Sequence, residues 1–441
     1  MNNGGSSDRG RPTTGPARDG NAQGYKPATV EEMVASADYR LFCEGRLAAP
    51  YELMAWLRGN DPVHFSPVLN AWVLTRYDDV FEGLLGRRFR NDRISASMSA
   101  FPPEMRESYA PLGNHISNWL GFTDPPKHTR LRCLVRPTFT PALAKKLMAR
   151  ITAITDELID AMSGEAQPDL VSKFASPLPA RVICEILGIP EDKIGSFHDW
   201  SDAMVAFTGH IGPTLADIAP RAMDSYLALE DFFETLVAER SQCPADDLIS
   251  QLTADEANGD LSRQELIGLS VFALVAGHET TASLLATGLL ILLDDDDLRR
   301  RLTSNPELYP SAVEEFLRLE SPIQFSPRLA GTTFELRGKR IHEGDAVILH
   351  LGAANRDPER FVDPDVLDLT RPDNKHLAFA WGTHFCLGAR LARAEASVAF
   401  ARILERIPDI HRPRERVSWR EDMTIRAPTE LRVETRTIRS T

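Results

Sequence analysis

Apolar residues recur at intervals of three and four along most of the chain, which is the spacing of helices that bury one face. This pattern predicts helices over residues 50–58 and 143–189, and at least two more over residues 192–240. Glycines and a proline at residues 209–213 separate the helices of the last span. We expect this break to form the tip of a lid over a pocket.

Alternating apolar and polar residues, the pattern of strands, occupy much less of the sequence. Residues 63–77 predict a β-hairpin that turns at Leu69–Ala71, and Asp78 begins a short helix. Residues 323–330 are predicted to be extended after a Ser-Pro break. The expected fold class is therefore mainly α with a small β-rich subdomain.

A long apolar helix follows the capping box formed by Ser262 and Glu265 and continues to about Leu293. Because it is apolar on nearly every face, it should be buried in the middle of a large protein. Its centre, AGHETT at residues 276–281, has an acid and two hydroxyls where a core helix should have none. Buried carboxylates are costly unless they are paired or used, so this segment is a candidate for chemistry.

Composition and charge limit the function classes. The 441 residues have a net charge of −13 and no long basic run, which argues against binding of nucleic acid or an anionic membrane surface.

Residues 1–25 predict a disordered tail, and no linker divides residues 26–441, which we expect to form a single domain. The odd number of scattered cysteines predicts neither a disulfide framework nor a zinc site and fits a reducing cytoplasm. We find no apolar run of about 18 residues and expect no membrane anchor.

The segment FAWGTHFCLG at residues 379–388 places one cysteine, Cys386, between a loop broken by Gly382 and a predicted amphipathic helix. The N–H groups and the dipole at a helix N-terminus favour a thiolate, which is a soft ligand suited to iron. Two other readings are a small buried hydrophobe and a nucleophile assisted by His384. The fixed spacing of Phe379, Gly382, Cys386 and Gly388 favours the metal ligand over both.

This spacing resembles the haem-binding loop of the cytochrome P450 family, in which the cysteine thiolate is the axial ligand of the iron. Ala380 departs from it, because the family often has a glycine at this position. The resemblance implies the cytochrome P450 fold for residues 26–441, with haem b as cofactor and Cys386 as its metal ligand. It also implies haem contacts from Ala276, Gly277, Phe379 and Gly388.

Two cationic side chains, His128 and Arg132, lie at positions i and i+4 of a helix predicted to start at Asp124–Pro126. Such a pair can clamp a carboxylate, although a solvated basic face has the same pattern. The resemblance implies that His128 and Arg132 hold the haem propionates together with Arg328 and His384.

The resemblance further implies that Glu279 and Thr280 deliver protons during dioxygen activation and that Gly277 permits a local widening of the helix. From the residues alone, Thr280 could instead bond to the carbonyl one turn earlier, and Glu279 could form a structural ion pair. Residues 91–119 have no clear periodicity and are expected to form a loop over the pocket. Candidates for substrate contact are Met98, Phe101, Met105 and Ile116 in this loop, and Ile323 and Phe325 in the extended segment.

Glu315 and Arg318 lie three residues apart on one predicted helix. In the resembled family such a pair is buried behind the haem and engages an arginine of a later loop. Val366 stands where that arginine is common, and Arg360 is a candidate substitute.

Together these features predict a haem-thiolate monooxygenase that hydroxylates or epoxidises a mid-sized apolar natural product with dioxygen. Because the chain has no flavin or nicotinamide fingerprint, electrons should come from a ferredoxin and its reductase, docked near Arg130, Arg136, Arg390 and Arg393. The alternatives are an oxidative coupling or peroxide-driven enzyme and, from a different class, a non-catalytic haem or ligand-binding module.

Overall fold

The computed structural model describes residues 50–67, 69–99, 101–209, 215–420, 424–435 and 438–439. The predicted tail at 1–25, the first part of the expected domain at 26–49 and most of the predicted lid tip at 209–213 lie outside these residues.

Helices make up most of the described chain. In chain order the α-helices are α1 Tyr51–Asn60, α2 Tyr77–Leu84, α3 Ile94–Ser99, α4 Pro103–Ile116, α5 Lys127–Val135, α6 Pro141–Ala161, α7 Pro177–Leu187, α8 Ile194–Gly209, α9 Leu215–Gln242, α10 Leu248–Ala257, α11 Arg263–Asp294, α12 Asp296–Ser304, α13 Tyr309–Leu319, α14 Leu351–Ala354 and α15 Ala389–Arg406. Short 3₁₀ turns lie at Leu120–Phe122, Glu191–Lys193, Pro306–Leu308 and Gly382–His384, and a π-helical turn lies at Val171–Ala175.

The strands form a small subdomain beside the helices. They are β1 Val63–Ser66, β2 Ala71–Leu74, β3 Phe89–Arg90, β4 Phe325–Ala330, β5 Phe334–Leu336, β6 Lys339–Ile341 and β7 Ala346–His350. The order in the larger sheet is β1-β2-β7-β4-β3, in which only β2 and β7 are parallel, and β5 and β6 form a separate hairpin. The predicted fold class, mainly α with a small β-rich part, is confirmed.

The expectation of a loop over residues 91–119 was wrong, because α3 and α4 occupy much of it. Helix α4 contains Pro111 and Gly113, two residues that weaken a helical pattern in the sequence. Tertiary packing compensates for them, since Leu112 and Ile116 are completely buried in the helical core.

Helix α11 crosses the helical core and packs against α7, α8, α9, α13 and α15. The capping box of Ser262 and Glu265 is present at its start. Helix α11 packs closely against α15 at Gly288, where a residue with a side chain would not fit. A Cβ atom at this position would lie 2.3 Å from the ring of Phe400 in α15. By length and composition α11 could cross a membrane, contrary to our expectation that no segment would, but most of its apolar residues are buried against these neighbouring helices.

Two apolar cores meet at the Cys386 loop. Phe379 belongs to the core of the helices, against which Cys386 also packs. Ala380 and Trp381 pack instead against the core of the sheet, which includes Leu84 and Leu349. The loop is therefore held from both sides.

Candidate active site

The Cys386 loop is fixed by its backbone. The amide N–H of Cys386 donates a hydrogen bond to the carbonyl oxygen of Phe379 at 2.9 Å, which closes the loop. Ala380 has φ +56°, in the left-handed region where a residue with a Cβ atom is strained by about 1 kcal/mol, which explains why glycine suits this position. Gly382 has φ +70°, and a Cβ atom there would lie 3.1 Å from the carbonyl oxygen of Leu84.

Opposing effects act on the thiol of Cys386, which lies three residues before the first residue of α15. Burial raises its pKa, while the amides of Gly388 and Ala389 and the charges of Arg132 and Arg393 lower it. Burial is the larger effect, so the helix N-terminus alone does not produce the thiolate that we expected from the sequence. A metal ion that replaces the proton would supply the remaining stabilisation.

A cavity of about 400 Å³ separates the Cys386 loop from α11. Its walls include Phe379, Cys386 and Gly388 from the loop side and Ala276, Gly277 and Thr280 from the helix. The space beside Gly388 is open, since a Cβ atom there would meet nothing within 4 Å. The haem contacts expected from the sequence thus line one cavity, with room for a group between the sulfur and the helix.

Cationic and histidine side chains line the same cavity, and none of them forms a salt bridge with a carboxylate in the described part of the chain. They are His128 and Arg132 of α5, Arg328 of β4 and His384 of the 3₁₀ turn. Both ring nitrogens of His128, Nε2 of His384 and Nε of Arg328 are buried without a hydrogen-bond partner, and the two histidine rings are only 4.0 Å apart. Burial, together with His128 and Arg328, lowers the pKa of His384 to about 3. Such a group of unsatisfied donors is suited to the carboxylates of a haem, so the residues present fit haem b.

The helical wall of the cavity is regular. Residues 263–294 are α-helical throughout, so the widening expected at Gly277 is absent from α11. Gly277 is accounted for by packing instead, because a Cβ atom there would lie 2.6 Å from Ile183. The hydroxyl of Thr280 donates a hydrogen bond to the carbonyl oxygen of Ala276 at 3.2 Å and lines the cavity.

The carboxylate of Glu279 is buried and paired away from Cys386. It accepts a hydrogen bond from Arg420 at 2.8 Å and lies 3.1 Å from Nε2 of His278 and 3.5 Å from Nδ1 of His198. Burial by itself would raise the pKa of Glu279, but His278 and the charges of Arg420 and His198 lower it to about 2. Thr280 lines the cavity of about 400 Å³ beside Cys386, whereas Glu279 does not.

A second cavity of about 220 Å³ lies against the first. Thr280, Ile323 and Arg328 line both cavities, and Glu279 and Phe325 line the second. This arrangement agrees with the pocket residues expected in the extended segment.

The four pocket candidates from residues 91–119 line neither cavity. Phe101 and Ile116 are buried in the helical core, and Met98 and Met105 pack against it. The sequence reasoning missed Phe272, which lies one helical turn before the expected contact Ala276 on the cavity side of α11, and it missed Arg93. Phe272 lies four residues before Ala276, the first residue of AGHETT, and this helical spacing could have predicted that both residues face the cavity.

Glu315 and Arg318 form a fully buried pair, with Nε of Arg318 2.7 Å from Oε1 of Glu315. The third partner is Arg371, whose Nε lies 3.0 Å from the same oxygen, and not Arg360, which pairs with Asp373 on the surface. The side chain of Val366 is exposed, while its carbonyl oxygen accepts hydrogen bonds from both Arg318 and Arg371. The later arginine is therefore present, five residues beyond the position where we looked for it.

Comparison with known proteins identifies the family of the chain. The family model described as Cytochrome P450 matches residues 104–408. The chain is 39% identical over 381 residues to Cytochrome P450 107B1 of Saccharopolyspora erythraea, covering 83% of this chain and 89% of the relative. It is 40% identical over 371 residues to mycinamicin IV hydroxylase/epoxidase of Micromonospora griseorubida, and the match covers 82% of this chain and 89% of that relative. The solved myxobacterial cytochrome P450 CYP267B1, in complex with myristic acid, matches with a TM-score of 0.81 at 38% identity, covering 90% of this chain and 99% of that one.

The chain therefore belongs to the cytochrome P450 family. As a member it is a P450 monooxygenase that binds haem b and uses dioxygen, a small-molecule substrate and redox partners.

The buried ion-pair cluster generates a stability prediction. Replacing Arg371 with Ala should lower the free energy of unfolding by about 2–3 kcal/mol, because Glu315 is buried and loses a charged partner. Arg360→Ala, which removes a partly exposed surface pair, is the matched control and should change stability little. Denaturant unfolding followed by Soret absorbance measures both variants, and equal losses would contradict the assignment of Arg371 as the third partner.

Proposed function

We propose that this chain hydroxylates or epoxidises a mid-sized, largely apolar small molecule in secondary metabolism. The observation that supports this best is the pair of adjoining, mainly apolar cavities between Cys386 and Thr280, which could hold a cofactor and a substrate side by side. Two relatives support the proposal by their names: one is mycinamicin IV hydroxylase/epoxidase, and the other, PksS of Bacillus subtilis, is named as a cytochrome P450 of polyketide biosynthesis.

In this proposal Cys386 is the iron ligand, and His128, Arg132, Arg328 and His384 hold the two propionates. When bound, the haem supplies the activation of dioxygen and the transfer of one oxygen atom to the substrate. Phe379, Gly388, Ala276 and Gly277 line the cavity, and the absence of a side chain at Gly388 leaves room there for a flat group. The charges of Arg132 and Arg393 and the amides of Gly388 and Ala389 stabilise the thiolate.

Glu279 and Thr280 are proposed to move protons. Thr280 lines the cavity, and its hydroxyl would have to rotate away from the carbonyl oxygen of Ala276, 3.2 Å away, to donate a hydrogen bond to dioxygen. Glu279 is adjacent, and its carboxylate contacts His198, whose side chain is 55% exposed and can exchange protons with solvent. At neutral pH Glu279 is ionised, so it would act as a relay that accepts a proton from the histidine side and passes it towards Thr280.

The proposed electron donor is a ferredoxin, reduced by its own reductase, and the proposed location is the cytoplasm. Of the four arginines considered for docking, Arg130 is bonded to Glu265 and Arg393 to Glu314. Arg136 and Arg390 are exposed and have no carboxylate partner among the described residues. Since Arg390 lies four residues after Cys386, these two charges could attract an acidic partner to the thiolate side.

Proton delivery is tested by Thr280→Ala and Glu279→Gln with a polyketide that shifts the Soret band of the wild type. Dioxygen consumption should continue while product per dioxygen falls about tenfold or more, because general acid catalysis is lost. Thr287→Ala is the matched control, since this buried threonine of α11 makes the same bond to the carbonyl one turn earlier. Oxygen uptake and product yield are measured together, and full coupling in both test variants would refute the assigned roles.

Electron transfer is tested by Arg136→Glu and Arg390→Glu. With a reduced ferredoxin at low salt, the first electron should arrive about tenfold more slowly, and high salt should remove the difference because it screens the attraction. Arg414→Glu is the control, because it lies beyond the far end of α15, whose 18 residues span about 27 Å. Stopped-flow formation of the ferrous carbon monoxide complex gives the rates, and unchanged rates would exclude this docking surface.

A further inference from the structure

Arg93 lines the second cavity, on the side expected to hold the substrate. It lies between β3 and α3 and is only partly buried. Thr280, Ile323 and Phe325 line the same cavity of about 220 Å³. The guanidinium groups of Arg93 and Arg328 are therefore the cationic groups among the described residues of a wall that is otherwise largely apolar.

No carboxylate pairs with Arg93 in the described ranges. One Nη atom donates a hydrogen bond to the carbonyl oxygen of Thr208 at 3.0 Å, and the guanidinium carbon lies 4.6 Å from the centroid of the Phe122 ring. These contacts orient the group but carry no formal negative charge. An arginine has five N–H donors, so most of them remain for a ligand.

A guanidinium that is partly removed from water without an anion is costly. Burial and the neighbouring Arg328 lower the pKa of Arg93 to about 9, so the side chain remains cationic at neutral pH. A charge taken out of water is normally compensated by a partner of opposite sign. Glu279 is the acid that lines this cavity among the described residues, and it is already paired with Arg420 and lies beside His278 and His198.

The haem propionates are a less suitable partner. Of the side chains proposed to hold them, His128, Arg132 and His384 line the larger cavity alone and Arg328 lines both cavities, whereas Arg93 lines only the second. Arg93 instead contacts Phe122 and the end of α8, and it lines the second cavity together with Thr280.

We propose that Arg93 binds a carboxylate of the substrate, and that the substrate is an amphipathic organic acid with an apolar body. A planar guanidinium can bind a carboxylate through two parallel hydrogen bonds. The apolar body would then lie along Ile323 and Phe325 towards Thr280. This inference rests on the proposed function, because it assumes that the second cavity is the substrate side of the oxygen-activating site.

The test compares matched acids and alcohols on the haem-loaded ferric protein. Octanoic to hexadecanoic acids and the corresponding primary alcohols are titrated, and the Soret shift gives each dissociation constant. At least one acid should bind the wild type about tenfold or more tightly than its alcohol. Arg93→Gln should abolish this preference and change alcohol binding less than about threefold, while Arg93→Lys should retain part of it. Arg88→Gln, which removes an exposed charge from the same segment outside the cavity, should match the wild type.

Three results would overturn the proposal. They are the absence of any acid preference in the wild type, an equal loss of acid and alcohol binding in Arg93→Gln, and a loss of haem from that variant, which would assign Arg93 to the propionates. Because the titration requires no turnover, its failure is distinguishable from failure of the monooxygenase assignment. Failure of the monooxygenase assignment would appear in other measurements. The reduced carbon monoxide complex would lack the red-shifted Soret band of a thiolate-ligated haem, or a neutral substrate would give no product.

Discussion

The site depends on a thiol that must be buried and must also lose its proton. Burial in the cavity opposes ionisation of Cys386, while two backbone amides and two arginines favour it. The loop that holds Cys386 contains Ala380 in a strained backbone conformation and Gly382 packed against the backbone of Leu84. Its position between the helical and sheet cores keeps the sulfur facing α11.

Helix α11 forms the wall of the cavity opposite Cys386. Its two central polar residues, Glu279 and Thr280, are placed differently. Thr280 faces the cavity, whereas the adjacent Glu279 is held in an ion-pair cluster with Arg420 and two histidines. An acid paired in this way is stable in the core and still in contact with an exposed imidazole. The same cluster is a structural element and, in the proposed function, a route for protons.

Features encoded by short stretches of sequence could be predicted, whereas those that depend on distant residues could not. The capping box of α11, the hairpin and the Cys386 loop each depend on neighbouring residues. Glu279 meets Arg420 across 141 positions, Arg371 meets Glu315 across 56, and Arg93 meets Thr208 across 115, so periodicity carried no signal for these partners. Helix α4 was missed because Pro111 and Gly113 interrupt its pattern, and tertiary burial of Leu112 and Ile116 stabilises it.

The central claim is that Cys386 is the thiolate ligand of the haem iron. The most direct measurement is the difference spectrum of the dithionite-reduced protein with and without carbon monoxide, in the wild type, Cys386→Ala and Cys133→Ala. The wild type and the control at the exposed Cys133 should show the strongly red-shifted Soret band of a thiolate-ligated haem, and Cys386→Ala should not. An unshifted band in the wild type, or a red-shifted band that persists in Cys386→Ala, would contradict the assignment.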